Sequence, residues 1–347
     1  MSDSTPEPRL RALVLGDTSA APHHGCELVM ANLRRGLADA GVDIVLEHTG
    51  KAWQADPRVV SALPAVDLLV INGEGTMHHD RPQGYDFVEA AEVAARSKVP
   101  AYLVNCTWQQ NSPKLAERAQ VFRKIHVRES QSAAELAQVN TSSVVTPDLT
   151  LATDWTISQT ARRGWLVTDS TMTDVTRELL DVSRHLSGAR FIPVIASECP
   201  KLGWARQVKR TVQKYAARVL SPLGVLTSYV SLDYALPSAR AFLDEMARCE
   251  AMLTGRFHAV CFAILTGTPF LALRSNSSKI ESLMRDAGLS PDRIVDRGTS
   301  AKSLEARLAE CQFSPEEEQL RSQYLQAARS AIRTMLAAIA DDARSCR

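Results

Sequence analysis

No stretch of this sequence reads as a membrane span or a secretion signal. The opening residues MSDSTPEPRLR lack the apolar core of a signal peptide. No apolar run reaches the roughly 18 residues that a spanning helix needs. CxxC pairs are missing too. The seven cysteines, at positions 26, 106, 199, 249, 261, 311 and 346, are scattered and odd in number. That pattern argues against a disulfide scaffold and thiolate-bound zinc, and it fits reduced thiols in a cytoplasmic protein. An excess of one charge is also absent: 40 Lys and Arg face 39 Asp and Glu, for a net charge of +1. Nothing global therefore points to nucleic acid, and any anion site has to be built locally.

What is present is alternation. In a chain of 347 residues, short apolar runs such as RALVLGD, VDLLVING and VPAYLVNCT alternate with amphipathic segments such as CELVMANLRRGLADAG and YDFVEAAEVAARS. The runs are continuous rather than alternating, as parallel strands covered on both faces require. The rhythm breaks at ATDWTISQTARR and restarts with GWLVTDS, ARFIPVIAS, GVLTSYVS and EAMLTGRF. The expected fold is α/β: two Rossmann-like doubly wound domains facing each other across a cleft, residues 1–155 and 156–313. A helical tail rich in Ala, Leu, Glu and Arg follows over 314–347.

In such folds ligands bind beyond the carboxyl ends of the strands, where loops enter helices. The polar residues at those ends are the candidates. In the first half they are Asp17 with His23 and His24, Glu74 with His78 and His79, and Arg128; in the second they are Arg256 and His258, then Asn276, Ser277, Ser278 and Lys279. LTGRFHAVCFAILTGTPFLALRSNSSKIESLM is the most informative stretch. A strand delivers Arg256 and His258 to the start of a wholly apolar, hence buried, helix. Two residues apart, both side chains reach one face if the backbone is still extended there. An arginine holds a carboxylate or phosphate through two parallel bonds, and a histidine exchanges protons near neutral pH. The plain alternative is that Arg256 pairs with a structural acid and His258 caps the helix.

GRFHAVCFAILTGTPFLAL followed by SKIESLM resembles the C-terminal signature of polysaccharide pyruvyl transferases: an R-x-H strand end, an apolar helix, Gly-x-Pro, a strand and a lysine. LGD, INGEGT, VRES and TPDLTL are similar to the family's other landmarks, in the same order, and the resemblance runs from about residue 11 to about 290. This chain departs from the pattern in two places. Gly16-Asp17 leads into TSAAPHHG where the family has Asn-x-Gly-Asp, and Asn72-Gly73-Glu74-Gly75 replaces a triple glycine.

The resemblance implies a GT-B-like enzyme that moves pyruvate from phosphoenolpyruvate, its co-substrate, onto two hydroxyls of a sugar as a ketal, with no metal or other cofactor. The implied product is a cell-surface polysaccharide, capsule or lipopolysaccharide precursor. By that resemblance His258 is the general acid and Arg256 the main anion clamp, on a donor side formed by the second domain with Lys279 and the Asn276-Ser277-Ser278 loop, and Arg128 of the first domain is a further auxiliary cation for the donor. Glu74, His78 and His79 are candidate hydroxyl bases, and with Asp17, His23 and His24 they make up an acceptor side on the first domain. Two rivals stay open: a GT-B glycosyltransferase using a nucleotide-activated sugar, such as a CMP-linked acidic one, and a non-catalytic glycan-binding protein.

Four of the eight histidines fall in two HH doublets, 23–24 and 78–79. Neighbouring histidines point apart on a helix or strand, which suits zinc poorly. Sugar binding or proton transfer is favoured over metal, with plain loop histidines as the remaining reading. Finally, KLGWARQVKRTVQKYAARVL, residues 201–220, combines six basic residues with an apolar stripe. It is expected to be a solvated surface helix, with peripheral contact to an anionic membrane bearing a lipid-linked glycan acceptor as the alternative. The tail is read as a packing or homodimer helix.

Overall fold

The computed structural model describes residues 8–156, 161–196, 204, 208, 209, 212, 235–274 and 278–347. The chain divides into two units: Met1–Asp17, Ala31–Leu149 and Ala328–Arg347 form the first, Thr18–Met30 and Thr150–Ala327 the second.

In the first unit the continuous apolar runs become a six-stranded parallel sheet. Its strands are β1 (Leu10–Leu15), β2 (Val42–His48), β3 (Leu68–Asn72), β4 (Ala101–Cys106), β5 (Lys124–Val127) and β6 (Val144–Val145), in the order β2-β1-β3-β4-β5-β6. Every residue of β3 and β4 is buried, as parallel strands sandwiched by helices require. The covering helices are α1 (His24–Asp39), α2 (Pro57–Ala62), α3 (Pro82–Arg96), α4 (Pro113–Ala119) and α5 (Ser130–Gln138). Their starts are written in the sequence. Asp56 accepts from the Arg58 backbone N–H at 2.9 Å ahead of α2, and Ser112 accepts from Leu115 at 3.3 Å ahead of α4, each followed by a proline in the first turn.

The second unit carries a five-stranded parallel sheet of β7 (Trp165–Ser170), β8 (Ala189–Phe191), β9 (Ala251–Gly255), β10 (Phe270–Leu273) and β11 (Ile294–Val295), ordered β11-β10-β9-β7-β8. Its described helices are α6 (Thr173–His185), α7 (Ala239–Ala247), α8 (Phe257–Thr266), α9 (Lys279–Asp286) and α10 (Ala301–Glu310). The eight residues from Ala259 to Thr266 are all buried, which explains why α8 has no polar face. Gly267, at φ 65°, closes α8 in the left-handed region that a glycine enters without strain. In both sheets the order reverses between the first strand and the third: at β1/β3 in the first unit and β7/β9 in the second. Those are the topological switch points.

Two segments correct the contiguous domains expected over 1–155, 156–313 and 314–347. Residues 18–30 group with the second unit because the loop after β8 holds them: the Ala196 N–H donates to the Pro22 carbonyl and the His24 N–H to the Val194 carbonyl, both at 3.0 Å. The tail is one helix, α11 (Pro315–Ser345), whose C-terminal part from Ala328 onward belongs to the first unit. There Asp342 accepts from Tyr102 at 2.7 Å and from Arg123 at 2.9 Å. Ala328, Ile332, Met335, Leu336, Ile339, Ala340 and Ala343 give α11 a buried stripe. The strand expected at GVLTSYVS lies outside the described residues, and so does most of 201–220. Within 201–220, Trp204, Val208, Lys209 and Val212 are described, and all four are exposed. Among the described residues no helix is long and apolar enough to cross a membrane.

His126, on β5, makes the fold sensitive to acid. Its ring is buried with Nδ1 3.0 Å from Thr146 Oγ1, and burial, reinforced by Lys124, lowers its pKa to about 4. Because the folded value lies below the ordinary 6.5, the unfolded chain binds the extra proton between those two values. Stability should therefore be full above pH 6.5 and fall as the pH drops toward 4, by about 3 kcal/mol in total. Denaturant melts of wild type and His126→Asn across that range check this; the variant should show a shallower acid-side loss.

Candidate active site

The Rossmann topology places the richest cluster at the switch point of the second unit. β7 and β9 run side by side and in parallel, so the residues at their carboxyl ends meet: Ser170 pairs in register with Gly255. A side chain at Gly255 would run into Ser170, and that close approach lets the two strand ends converge. Asp169 thereby reaches Arg256. The Arg256 Nε–H donates to Asp169 Oδ2 at 3.0 Å, and its Nη2 also bonds that oxygen. Asp169 Oδ1 accepts the Val194 backbone N–H at 2.8 Å. The carboxylate is 4% exposed and the guanidinium 16%. Asp169 thus fixes one edge of the arginine fork while the group keeps solvent access, which is how a pre-oriented anion clamp is built. The pairing with an acid that the plain alternative foresaw is real, but it occurs at the switch point rather than in the core.

His258 occupies the first turn of α8, packed edge-on against Phe257 and 6.5 Å from the ring of Phe262. The expected i, i+2 geometry of Arg256 and His258 on one extended strand is modified: β9 ends at Gly255 and α8 begins at Phe257. Arg256 therefore stands at the helix cap, where its backbone is still extended at φ −115°. The same site receives the first histidine doublet. His23 lies with its ring centroid 5.3 Å from that of His258, at 63°. Gly25 makes this approach possible, because a methyl group on it would collide with the His258 imidazole. The pKa of His23 is held well below 6.5, first by burial and then by the like charges of His258, Arg256, His24 and Lys279. Lys279 opens α9 and so contributes its charge to the cluster. Ser278 is exposed, immediately before it; Asn276 and Ser277 lie outside the described residues.

His23 and His24 were both expected on the acceptor side of the first domain, and the structure corrects this for each. They belong to the second unit, and they part company there. His24 is fully buried, its ring 5.1 Å from that of Phe242, with Glu27 Oε2 3.8 Å from Nδ1. A ring sealed in this way packs the core and reaches no ligand. Sequence adjacency hides the difference; the start of α1 at His24 creates it.

Arg128 needs a correction of another kind. It is 3% exposed and belongs to the first unit, with Nη1 donating to Asp148 at 2.9 Å and Nη2 to Thr107 Oγ1 at 2.7 Å. Asp148 itself is fully buried. This is an internal ion pair joining the ends of β5 and the TPDLTL segment, so the guanidinium is committed to the protein rather than to a donor phosphate.

The remaining candidates line the switch point of the first unit. Asn72 Nδ2 donates to the Gly16 carbonyl at 3.1 Å, and Asn105 Nδ2 donates to Asn72 Oδ1 at 3.2 Å. Gly16, at φ 78°, sits so close to Asn72 that no side chain fits. Glu74 is 8% exposed, its N–H directed at Asn72 Oδ1 at 3.4 Å. Asp17 accepts from Arg34 at 3.2 Å, and the same arginine grips Glu47. His78 and His79 share one hydrogen between their Nδ1 atoms, 2.8 Å apart. Their turn is fastened to the loop after β4: the His79 N–H donates to the Gln109 carbonyl at 2.9 Å, and Asp80 accepts from the Ser112 N–H at 2.9 Å. His79 and Asp80 both have positive φ, 55° and 49°, so the turn is a constrained one.

Two outcomes follow from this geometry. Gly25→Ala should displace the His258 ring while leaving the unit folded; a histidine-detected NMR spectrum would show shifted His258 and His23 signals at an unchanged melting temperature. Asp148→Ala should strand the Arg128 charge in the interior and cost the first unit about 3–5 kcal/mol, measured by denaturant unfolding.

Comparisons with known proteins place the fold and the family. A provisionally assigned UDP-N-acetylglucosamine 2-epimerase from Listeria monocytogenes superposes with a TM-score of 0.58 at 12% identity, covering 95% of this chain and 96% of that one. The UDP-GlcNAc 2-epimerase of Methanocaldococcus jannaschii, in complex with UDP-GlcNAc and UDP, gives 0.54 at 10% identity, covering 94% and 98%. The enzyme of Neisseria meningitidis, bound to UDP-GlcNAc, gives 0.53 at 10% identity, covering 95% and 99%. At such low identity the likeness shows the fold alone, two Rossmann-like units of GT-B type. No curated protein matches the chain in sequence. The polysaccharide pyruvyl transferase family model matches residues 23–277, a span that holds Asp169, Arg256 and His258 and takes in the His23 doublet. The chain belongs to the polysaccharide pyruvyl transferase family.

Proposed function

We propose that the protein transfers the pyruvyl group of phosphoenolpyruvate to two hydroxyls of a sugar in a cell-surface polysaccharide or its lipid-linked precursor, forming a ketal. The observation that carries this reading is the Arg256–His258 pair at the switch point of the second unit, with Arg256 oriented by Asp169. Phosphoenolpyruvate presents a phosphate and a carboxylate on one small carbon frame, so its site needs fixed cations and a proton source. Arg256 and Lys279 are the cations, with Ser278 and the neighbouring Asn276 and Ser277 as further donors.

In the proposed reaction His258 delivers a proton to the methylene carbon of the enol phosphate, and the double-bond electrons form the new C–H bond. The positive charge left at the adjacent carbon is taken by a sugar hydroxyl. The C–O bond to phosphate breaks, and a second hydroxyl closes the ring. The two hydroxyl protons leave to the departing phosphate and back to the histidine, so one phosphate is released for each ketal formed. Glu74, His78 and His79 remain our candidates for the acceptor side. Asp17 is a weaker one because Arg34 already engages it. A second reading, transfer of a sugar from a nucleotide donor, is supported by the UDP-GlcNAc-bound neighbours that share the fold. Reaction at a cytoplasmic membrane face and a homodimer are also part of the proposal, the former resting on the basic composition of residues 201–220.

The test is direct. Purified protein is incubated with candidate glycans and either phosphoenolpyruvate or UDP- and CMP-linked sugars, while phosphate, nucleotide and product mass are followed. Phosphate release with a ketal mass increment is expected. Turnover with a nucleotide donor alone overturns the reading in favour of a glycosyltransferase, and glycan binding without turnover of any donor favours a binding protein. Arg256→Ala and His258→Ala should each lower turnover by about 10²–10⁴-fold. Arg256→Ala also leaves the Asp169 carboxylate without its cation and should lower stability, so its turnover is read at a temperature where the variant is folded.

A further inference from the structure

We propose that His23 is a ligand-binding residue of the donor site, acting as a neutral imidazole that presents Nε2–H beside His258. The proposal rests on the reading of Arg256 and His258 as the donor site, and it assigns to that site the loop between β1 and α1.

Geometry sets the tautomer. The Gly25 backbone N–H points at His23 Nδ1 at 3.0 Å, so Nδ1 carries the lone pair and the ring's hydrogen resides on Nε2. His23 thereby stands where a helix-capping residue stands, immediately before α1, satisfying a backbone N–H of the first turn. Its position is fixed from both sides. The neighbouring residues bond the Val194 carbonyl and the Ala196 N–H, and the His258 ring rests against Gly25. With Nδ1 committed to the backbone, Nε2–H is what the ring has left to offer.

Burial first, and charge after it, keep the ring neutral. The groups that act on His23 are His258 on α8, Arg256 at the end of β9, His24 on α1 and Lys279 on α9, and each opposes a positive charge on the ring. The positive end of α1 adds to this. An aspartate would cap α1 equally well, but it would cancel a positive charge in the cluster; a neutral histidine caps the helix and leaves the cations available to an anion. Near neutral pH His23 is therefore the uncharged imidazole. His23 supplies a hydrogen bond to a phosphate or carboxylate oxygen without competing for the proton that His258 transfers.

Two substitutions separate this from a purely structural cap. His23→Asn keeps an oxygen in place of Nδ1 and loses the Nε2 donor; His23→Gln keeps a donor near Nε2. With phosphoenolpyruvate as donor, His23→Asn should melt like wild type yet turn over about 10²-fold more slowly, whereas His23→Gln should stay within about tenfold. The wild-type rate should fall on the acid side as His23 protonates, and that limb should disappear in His23→Gln. Wild-type rates in His23→Asn would overturn the proposal. Independently of any turnover, long-range ¹H–¹⁵N spectra of the imidazoles should show His23 as the Nε2–H tautomer at pH 7 with a midpoint below 6.5. An Nδ1–H tautomer or a higher midpoint would overturn it. Absence of phosphate release from wild type would instead count against pyruvyl transfer and leave the spectra to decide the role of His23.

Discussion

The parallel pairing of β7 with β9 is the constraint on which the site depends. Parallel strands put all their carboxyl ends on one edge, and the reversal of strand order opens a gap between the helices on the two sides of that edge. The Asp169–Arg256 ion pair forms at that edge, at the carboxyl ends of β7 and β9. A half-exposed arginine on a loop would lose rotamer freedom each time it met a ligand. Here Asp169, itself held by the Val194 N–H, has already imposed most of that ordering during folding. The buried helix α8 does the same for His258, since a helix sealed among apolar neighbours has little room to shift.

Much of this was legible in the sequence for physical reasons. Parallel strands must be apolar on both faces, so their positions show as unbroken runs, and the switch-point residues follow directly after them. That Arg256, His258 and Lys279 come together was readable because a charged pair abutting a wholly apolar helix stands at a strand end. The partner of Arg256 was not readable. Asp169 is one of several strand-end acids, separated by 87 positions from Arg256, and only the β7/β9 register brings them together.

The histidine doublets show where sequence reading stops. His23 and His24 are adjacent, yet one joins the cation cluster and the other packs against Phe242. A helix start falls between them, and no composition or spacing fixes that boundary to a single residue. Assigning both to the first domain followed from chain order. The loop after β8 instead draws residues 18–30 into the second unit. Arg128 misleads for a related reason: VRES looks like a strand-end cation facing solvent, and the deciding fact is a buried carboxylate 20 positions away. Gly25 was legible as a glycine but not as the space that His258 occupies.

The central claim is that Arg256 and His258 hold phosphoenolpyruvate and protonate its methylene carbon. Running the reaction in D₂O tests that step most directly, because the carbon that gains the hydrogen ends as the ketal methyl group. A product whose methyl group carries one solvent deuterium, lost together with turnover in His258→Ala, is the predicted result. A glycan product containing no carbon from phosphoenolpyruvate, or formed equally well by His258→Ala, would contradict it.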